Sequence, residues 1–275
     1  MKLTSINDAE HSAPGHDRAP CPECDRGTTD DALGITVESG GRYVWHCFRC
    51  GWAGASGVTT SNPEPRAQAT HKAHHEGLSE WAAALWASTR EIDGAARAYL
   101  EGRACVCPPT DGDLRWHPNL KHFPTSYTGP ALVALVTDAI TCKPISLHRT
   151  WIRADGKKAD VKPARMLIKG HRVKGGLIRL WPDEAVTHGL AVGEGIETML
   201  SLAHAYTPVW SCIDASNLAA FPLLNGIESL VIAADGDAPG RQAAGACAAR
   251  WRRAGRQAAI VDPGNDRDWN NEAVA

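Results

Sequence analysis

Short unbroken apolar runs recur in the last third of the chain, each followed by a stretch with helical spacing. Leu190-Ala191-Val192 leads into Gly193-Glu194-Gly195, and Leu230-Val231-Ile232-Ala233-Ala234 leads into Asp235-Gly236-Asp237. Runs of this kind suit buried strands of a parallel sheet. Helix-like segments follow at 197–206 and 239–253, and further strands are expected at 208–212 and 257–261. Alternating strands and helices imply βαβ units, which bind ligands at the carboxyl ends of their strands. Glu194, Asp235 and Asp237 are therefore expected to converge on one rim of the sheet.

Upstream the pattern is different. Residues 78–89 and 95–103 carry helical spacing, the first with Ser79 as N-cap. Strands are expected at 131–136 and 144–153, while Arg115-Trp116-His117-Pro118 opens a stretch dense in Pro, Gly and Thr. Nearer the start, 35–37 and 42–46 read as two strands joined around Gly40-Gly41. These segments divide the chain into a disordered tail (1–18), a small β module (19–53), a Ser/Thr/Pro/His-rich linker (54–77), a mixed α+β middle domain (78–187) and a C-terminal α/β domain (188–275).

Composition changes the picture only where it is uneven. The net charge of the 275 residues is −2. Residues 143–179, however, hold eleven Lys or Arg against two acids, whereas 191–275 hold six against ten. A one-signed basic strip beside an acidic cluster is what a phosphate-binding surface next to a metal site would look like. His148, Arg149, Arg153, Lys162, Arg165 and Lys169 are its candidate contacts. The polar N-terminus has no apolar signal region, and no run reaches the roughly 18 apolar residues of a membrane span. A cytoplasmic, reduced protein without a membrane partner is expected, in which nine cysteines point to metal rather than disulfides.

Two clusters carry chemistry. Cys21-x-x-Cys24 and Cys47-x-x-Cys50 have the doubled spacing of a four-cysteine zinc ribbon. One structural zinc ion would then hold together a module too small for a core of its own. Around it Arg42, Tyr43, Trp45, Phe48, Arg49 and Trp52 interleave cations and rings, the pattern that binds single strands; packing around the metal is the competing reading of the rings. The second cluster is Glu194, Asp235 and Asp237. Three convergent carboxylates must take up protons or share a cation, and Mg²⁺ is favoured where phosphates join the coordination. Asp268, in the Asp-x-Asp after the last expected strand, is a further candidate. Glu197 reads as a helix-surface acid. His71, His74 and His75 read as solvated linker residues, and Cys105 and Cys107 as structural.

The strings Glu194-Gly195-Ile196-Glu197-Thr198 and Ala234-Asp235-Gly236-Asp237-Ala238-Pro239-Gly240-Arg241 resemble the Toprim domain, in the branch found in primases of phages, plasmids and mobile elements. The resemblance covers roughly 188–275. It implies a Rossmann-like, mostly parallel sheet, Glu194 as an acid/base residue and Mg²⁺ ligand, and Asp235 and Asp237 as ligands of Mg²⁺ or Mn²⁺. Asp268 could support a second ion, although Asn271 stands where that family often has an acid. More loosely, His148-Arg149-Thr150 and 162–169 resemble the domain that precedes Toprim in these primases, where such residues line a groove for nucleoside triphosphates and the RNA–DNA duplex. The ribbon would contact the template.

The function implied is a DNA primase that makes short RNA primers on single-stranded DNA from ribonucleoside triphosphates. A Toprim nuclease, or a non-catalytic single-strand-binding replication protein, would use the same residues. No Gly-x-x-x-x-Gly-Lys-Ser/Thr string occurs, so a helicase would be a separate partner.

Overall fold

The computed structural model describes residues 8–9, 13–24, 31–47, 52–56 and 77–264. The chain divides into two compact units, Met1–Thr70 and His71–Ala275.

The first unit is a four-stranded antiparallel sheet, β1 (Gly15–Ala19), β2 (Leu33–Val37), β3 (Tyr43–Cys47) and β4 (Ala53–Ser56), paired in that order. Leu33, Ile35 and Val37 alternate onto its buried face. The β2–β3 turn closes through Glu38 N–H donating to Arg42 O (2.7 Å), with Gly41 at φ +75°. Strand β1 corrects the expectation of a disordered tail through residue 18. Its polar sequence hides a pairing register, Gly15 opposite Val37 and Ala19 opposite Leu33, that satisfies the free edge of β2.

The second unit contains two sheets. An antiparallel sheet is formed by β5 (Leu114–His122), β6 (Tyr127–Asp138), β7 (Pro144–Trp151) and β8 (Arg165–Leu167), with β9 (Gly176–Leu177) on the end of β6. Helix α1 (Glu80–Ala87) covers one face through Ala82 and Leu85, and Ser79 accepts from Ala82 N–H at 3.3 Å as the expected N-cap. Helix α2 (Gly94–Glu101) covers the other face. Strand β5 occupies the stretch read from sequence as irregular. Its register breaks between His117 and Leu120, and that irregularity accommodates Pro118.

The second sheet is wholly parallel: β10 (Gly189–Gly193), β11 (Val209–Ser211), β12 (Ser229–Ala233) and β13 (Gln257–Val261), in the order β11-β10-β12-β13. Helix α3 (Ile196–Leu202) packs on one face, and α4 (Ala215–Ala219) and α5 (Ala238–Arg253) on the other. Phe221 and Trp251 stack at 5.8 Å in the second of these layers. One core runs without a break from Leu132 and Ala134 through Tyr99 and Leu100 to Met199, Ala191 and Ala233. The two sheets of this unit are thus joined by shared packing across the boundary drawn at 187/188.

Candidate active site

The order of the parallel sheet fixes the site. The chain leaves β10 toward β11 on one side and returns to β12 on the other, so the crevice at their carboxyl ends is a topological switch point. Gly193 ends β10 opposite Ala233 of β12, and Glu194 and Asp235 follow those ends. The close fit depends on two missing side chains. A Cβ at Gly193 would stand 2.6 Å from Met199 Sδ, and one at Gly240 would stand 2.9 Å from Asp235 Cβ. Asp237 caps α5, its Oδ1 accepting from Gly240 N–H at 2.8 Å.

Glu194 is the electrostatic centre of this rim. Burial first, and then the charges of Asp235, Asp237 and Asp214, push its carboxyl up to about 8. Its Oε1 is buried without a hydrogen-bond partner. Asp214 was not singled out from sequence, yet the signal was there: it follows β11 as Glu194 follows β10. An orphaned buried carboxylate oxygen facing further acids is a hard-oxygen donor set, which fits a divalent cation. Among the described residues, the one set of three ligand atoms within 4.8 Å of one another is made of cysteines. Asp268 lies outside the described residues.

Strand alternation divides the basic strip. His148 and Arg165 lie on the face toward α3, where both interact electrostatically with Glu197. Burial holds the His148 imidazole down at about 4, so it is neutral at pH 7. Arg149 turns to the opposite face. It is 5% exposed, stacks against Trp81 and Trp151, and donates to Leu167 O at 3.1 Å. Arg153, Lys162 and Lys169 are exposed, and Arg153 pairs with Asp155 at 2.8 Å.

Glu197 overturns its reading as a surface acid. It is 4% exposed and accepts from Tyr99 O–H (2.8 Å) and Arg165 Nη2 (2.7 Å) on the same oxygen. Burial works to raise its carboxyl, but the Arg165 charge and the Tyr99 hydrogen bond prevail and hold it at about 2. Helical spacing alone places this residue in the first turn of α3. The partner elements, α2 and β8, lie too far off in sequence to be read from the pattern.

In the first unit, Cys21, Cys24 and Cys47 form the three-ligand cluster, and Cys50 and Arg49 lie outside the described residues. Cys24 Sγ and Cys47 Sγ are 3.7 Å apart. Tetrahedral Zn–S bonds of about 2.3 Å require sulfurs about 3.8 Å apart, whereas a disulfide needs about 2.05 Å. Tyr43, Trp45 and Trp52 pack on the core of this unit, Trp45 at 5.4 Å from Trp52, while Arg42 is exposed. Among the described residues no helix is long and apolar enough to cross a membrane.

Residues 76–180 match the model of a domain of unknown function, DUF7146, and residues 189–275 match that of the Toprim domain. No curated protein sequence matches the chain. Among solved structures, the chain is similar to a DNA primase domain from Pseudomonas aeruginosa, with 14% identity over 64% of this chain and 66% of that one (TM-score 0.41). It is also similar to the zinc-binding and RNA polymerase domains of the Aquifex aeolicus primase, with 13% identity over 94% and 75% (TM-score 0.44). A third is the RNA polymerase domain of the Mycobacterium tuberculosis primase DnaG in complex with double-stranded DNA, with 15% identity over 70% and 73% (TM-score 0.41). The parallel sheet that carries Glu194, Asp235 and Asp237 lies within the residues that match the Toprim domain model.

Proposed function

We propose that the protein is a DNA primase of the phage, plasmid and mobile-element type, joining ribonucleotides on a single-stranded DNA template. The observation that carries this reading is the buried, unpartnered Oε1 of Glu194 facing Asp235 and Asp237 at the switch point of a Toprim sheet. Those three residues, with Asp268, would hold Mg²⁺ or Mn²⁺. When bound, the ion would lower the pKa of the primer 3′-hydroxyl and offset charge on the transferring phosphate. Glu194 would serve both as a ligand of that ion and as the acid/base residue that takes up the hydroxyl proton. Beyond that the protein's task is positioning. Exposed Arg153, Lys162 and Lys169 would hold template and RNA–DNA duplex, with affinity that falls steeply as salt rises.

The cysteine trio, with Cys50, would hold one structural zinc. Arg42 and Arg49 would meet template phosphates. A reducing cytoplasmic setting suits thiolate ligation, and strand opening would fall to a separate helicase.

Incorporation of radiolabelled ribonucleotides on a single-stranded template tests the proposal. Wild type should make primers in a magnesium-dependent way. Asp235→Ala should make none while keeping its circular dichroism spectrum, and full activity in that variant refutes the assignment. Cleavage of labelled DNA with Mg²⁺ but no nucleotides would instead identify a nuclease.

A further inference from the structure

Two backbone carbonyls set the direction in which the Glu194 side chain leaves the main chain. A residue has two soft backbone torsions, and the planes of its flanking peptides define them both. The peptide before Glu194 is held through Gly193 O, which accepts from Cys212 N–H at 2.7 Å. The peptide after it is held through Glu194 O, which accepts from the Ser211 hydroxyl at 2.6 Å. Both donors come from the end of β11 and the residue that follows it. Glu194 lies between the last residue of β10 and the first of α3, so this second bond comes from a side chain and not from a ladder or a helix.

Ser211 is built into that place. It is fully buried, and its backbone exchanges two hydrogen bonds with Ile178, at 3.0 and 2.8 Å. Its Oγ accepts from Ile213 N–H at 3.2 Å, which leaves the hydroxyl proton turned toward Glu194. Asp214 N–H donates to Cys212 O at 2.8 Å, closing a γ-turn across Ile213. Ile213 stands at φ +75°, where a β-branched residue is strained, and such strain persists only where the surroundings over-determine it. Here the Ile213 side chain packs on the core shared by the two sheets. The anchor works against repulsion: Asp235, Asp237 and Asp214 act on Glu194 with like charge and would drive an untethered carboxylate outward.

We propose that Ser211 is a positioning residue of the acidic rim, holding the Glu194 backbone so that its carboxylate stays aimed at a divalent cation shared with Asp235 and Asp237. The inference rests on the metal site of the polymerase reading, while cation binding itself needs no primer synthesis. Groups that orient a metal ligand from behind typically carry roughly 10–100-fold of metal affinity.

The test is titration of the full chain with manganese chloride, followed through the electron paramagnetic resonance signal of free Mn²⁺. Wild type should bind, and Ser211→Ala should bind about tenfold more weakly. The discriminating result is a double substitution. If Ser211 acts through Glu194, then Glu194→Gln and Glu194→Gln/Ser211→Ala should bind with Kd values within about twofold of each other. A tenfold loss repeated on the Glu194→Gln background overturns the proposal, as does no binding by wild type. A merely structural role would lower the melting temperature and the bound stoichiometry of Ser211→Ala but leave Kd unchanged, which also overturns it. Should Ser211→Ala fail to fold, Ser211→Cys keeps the shape and a weak donor; it should bind roughly threefold more weakly, and an unchanged Kd decides against the idea. Absence of primer synthesis by a wild type that binds Mn²⁺ in this Ser211-dependent way would count against the polymerase reading alone.

Discussion

Arg165 of β8 and Glu197 of α3 meet at 2.7 Å, so a strand of the antiparallel sheet is tied to a helix of the parallel sheet through a carboxylate that is 4% exposed. Breaking a buried pair by removing one partner leaves an uncompensated charge and costs about 3–5 kcal/mol. Because Arg165 keeps solvent contact, Arg165→Ala should fall at the low end of that range, and Glu197→Ala should cost at least as much. Urea unfolding midpoints would measure both.

The same pair sets an acid limit on stability. Glu197 is held at about 2 against an ordinary 4.5, a depressed carboxylate. Its contribution is present above pH 4.5 and is lost as pH falls from there toward 2. Wild type should lose stability over that window faster than Glu197→Gln, whose own contribution does not titrate. Parallel slopes of midpoint against pH would contradict this.

Glu194 behaves in the opposite sense. Its carboxyl is raised to about 8, so below that pH the metal-free fold keeps a proton there. Magnesium must displace the proton, and affinity should rise by up to about tenfold per pH unit until pH 8 and then level off. Calorimetry in buffers of different ionisation enthalpy should show nearly one proton released at pH 7. In metal-free buffer at pH 9, where the wild-type carboxylate is ionised against its neighbours, Glu194→Gln should melt at a higher temperature than wild type while being inactive in primer synthesis.

Removing metal from the cysteine cluster should act on the first unit alone. Thiolates at 3.7 Å repel unless a cation lies between them, and a β unit this small depends on that cation. A zinc chelator, or Cys24→Ser, should abolish the structure of the β1–β4 sheet, seen as loss of its amide dispersion in NMR. The unfolding transition of the second unit should stay where it was.

Gly156 offers a steric test. At φ +74°, with Ala98 Cβ 2.7 Å from the position of an added methyl, Gly156→Ala pays in both backbone strain and overlap. A loss of about 2–4 kcal/mol is expected, because the loop after β7 must lift off α2, and urea unfolding midpoints would measure it.

Local order determined much of this protein without coordinates. The apolar runs at 190–192 and 230–234 read as buried strands, and both lie in strands of the parallel sheet. A parallel sheet places the groups after its strands on one rim, which is why Glu194, Asp235 and Asp237 were found together, and Asp214 was open to the same argument. The paired Cys-x-x-Cys spacing likewise pointed to a metal knuckle, and Cys21, Cys24 and Cys47 of that pattern lie together. Tertiary structure decided whatever depends on which side of an element a residue faces and what lies opposite. Period-two alternation sends His148 and Arg149 to opposite faces of one strand, so a continuous basic run became one neutral imidazole toward α3 and one arginine buried under α1. Glu197 became a buried anchor only because α2 and β8, 98 and 32 residues away in the chain, bring Tyr99 and Arg165 to it. Sequence periodicity records which side of its own element a residue occupies, whereas the partner on that side is set by long-range packing that no local pattern encodes.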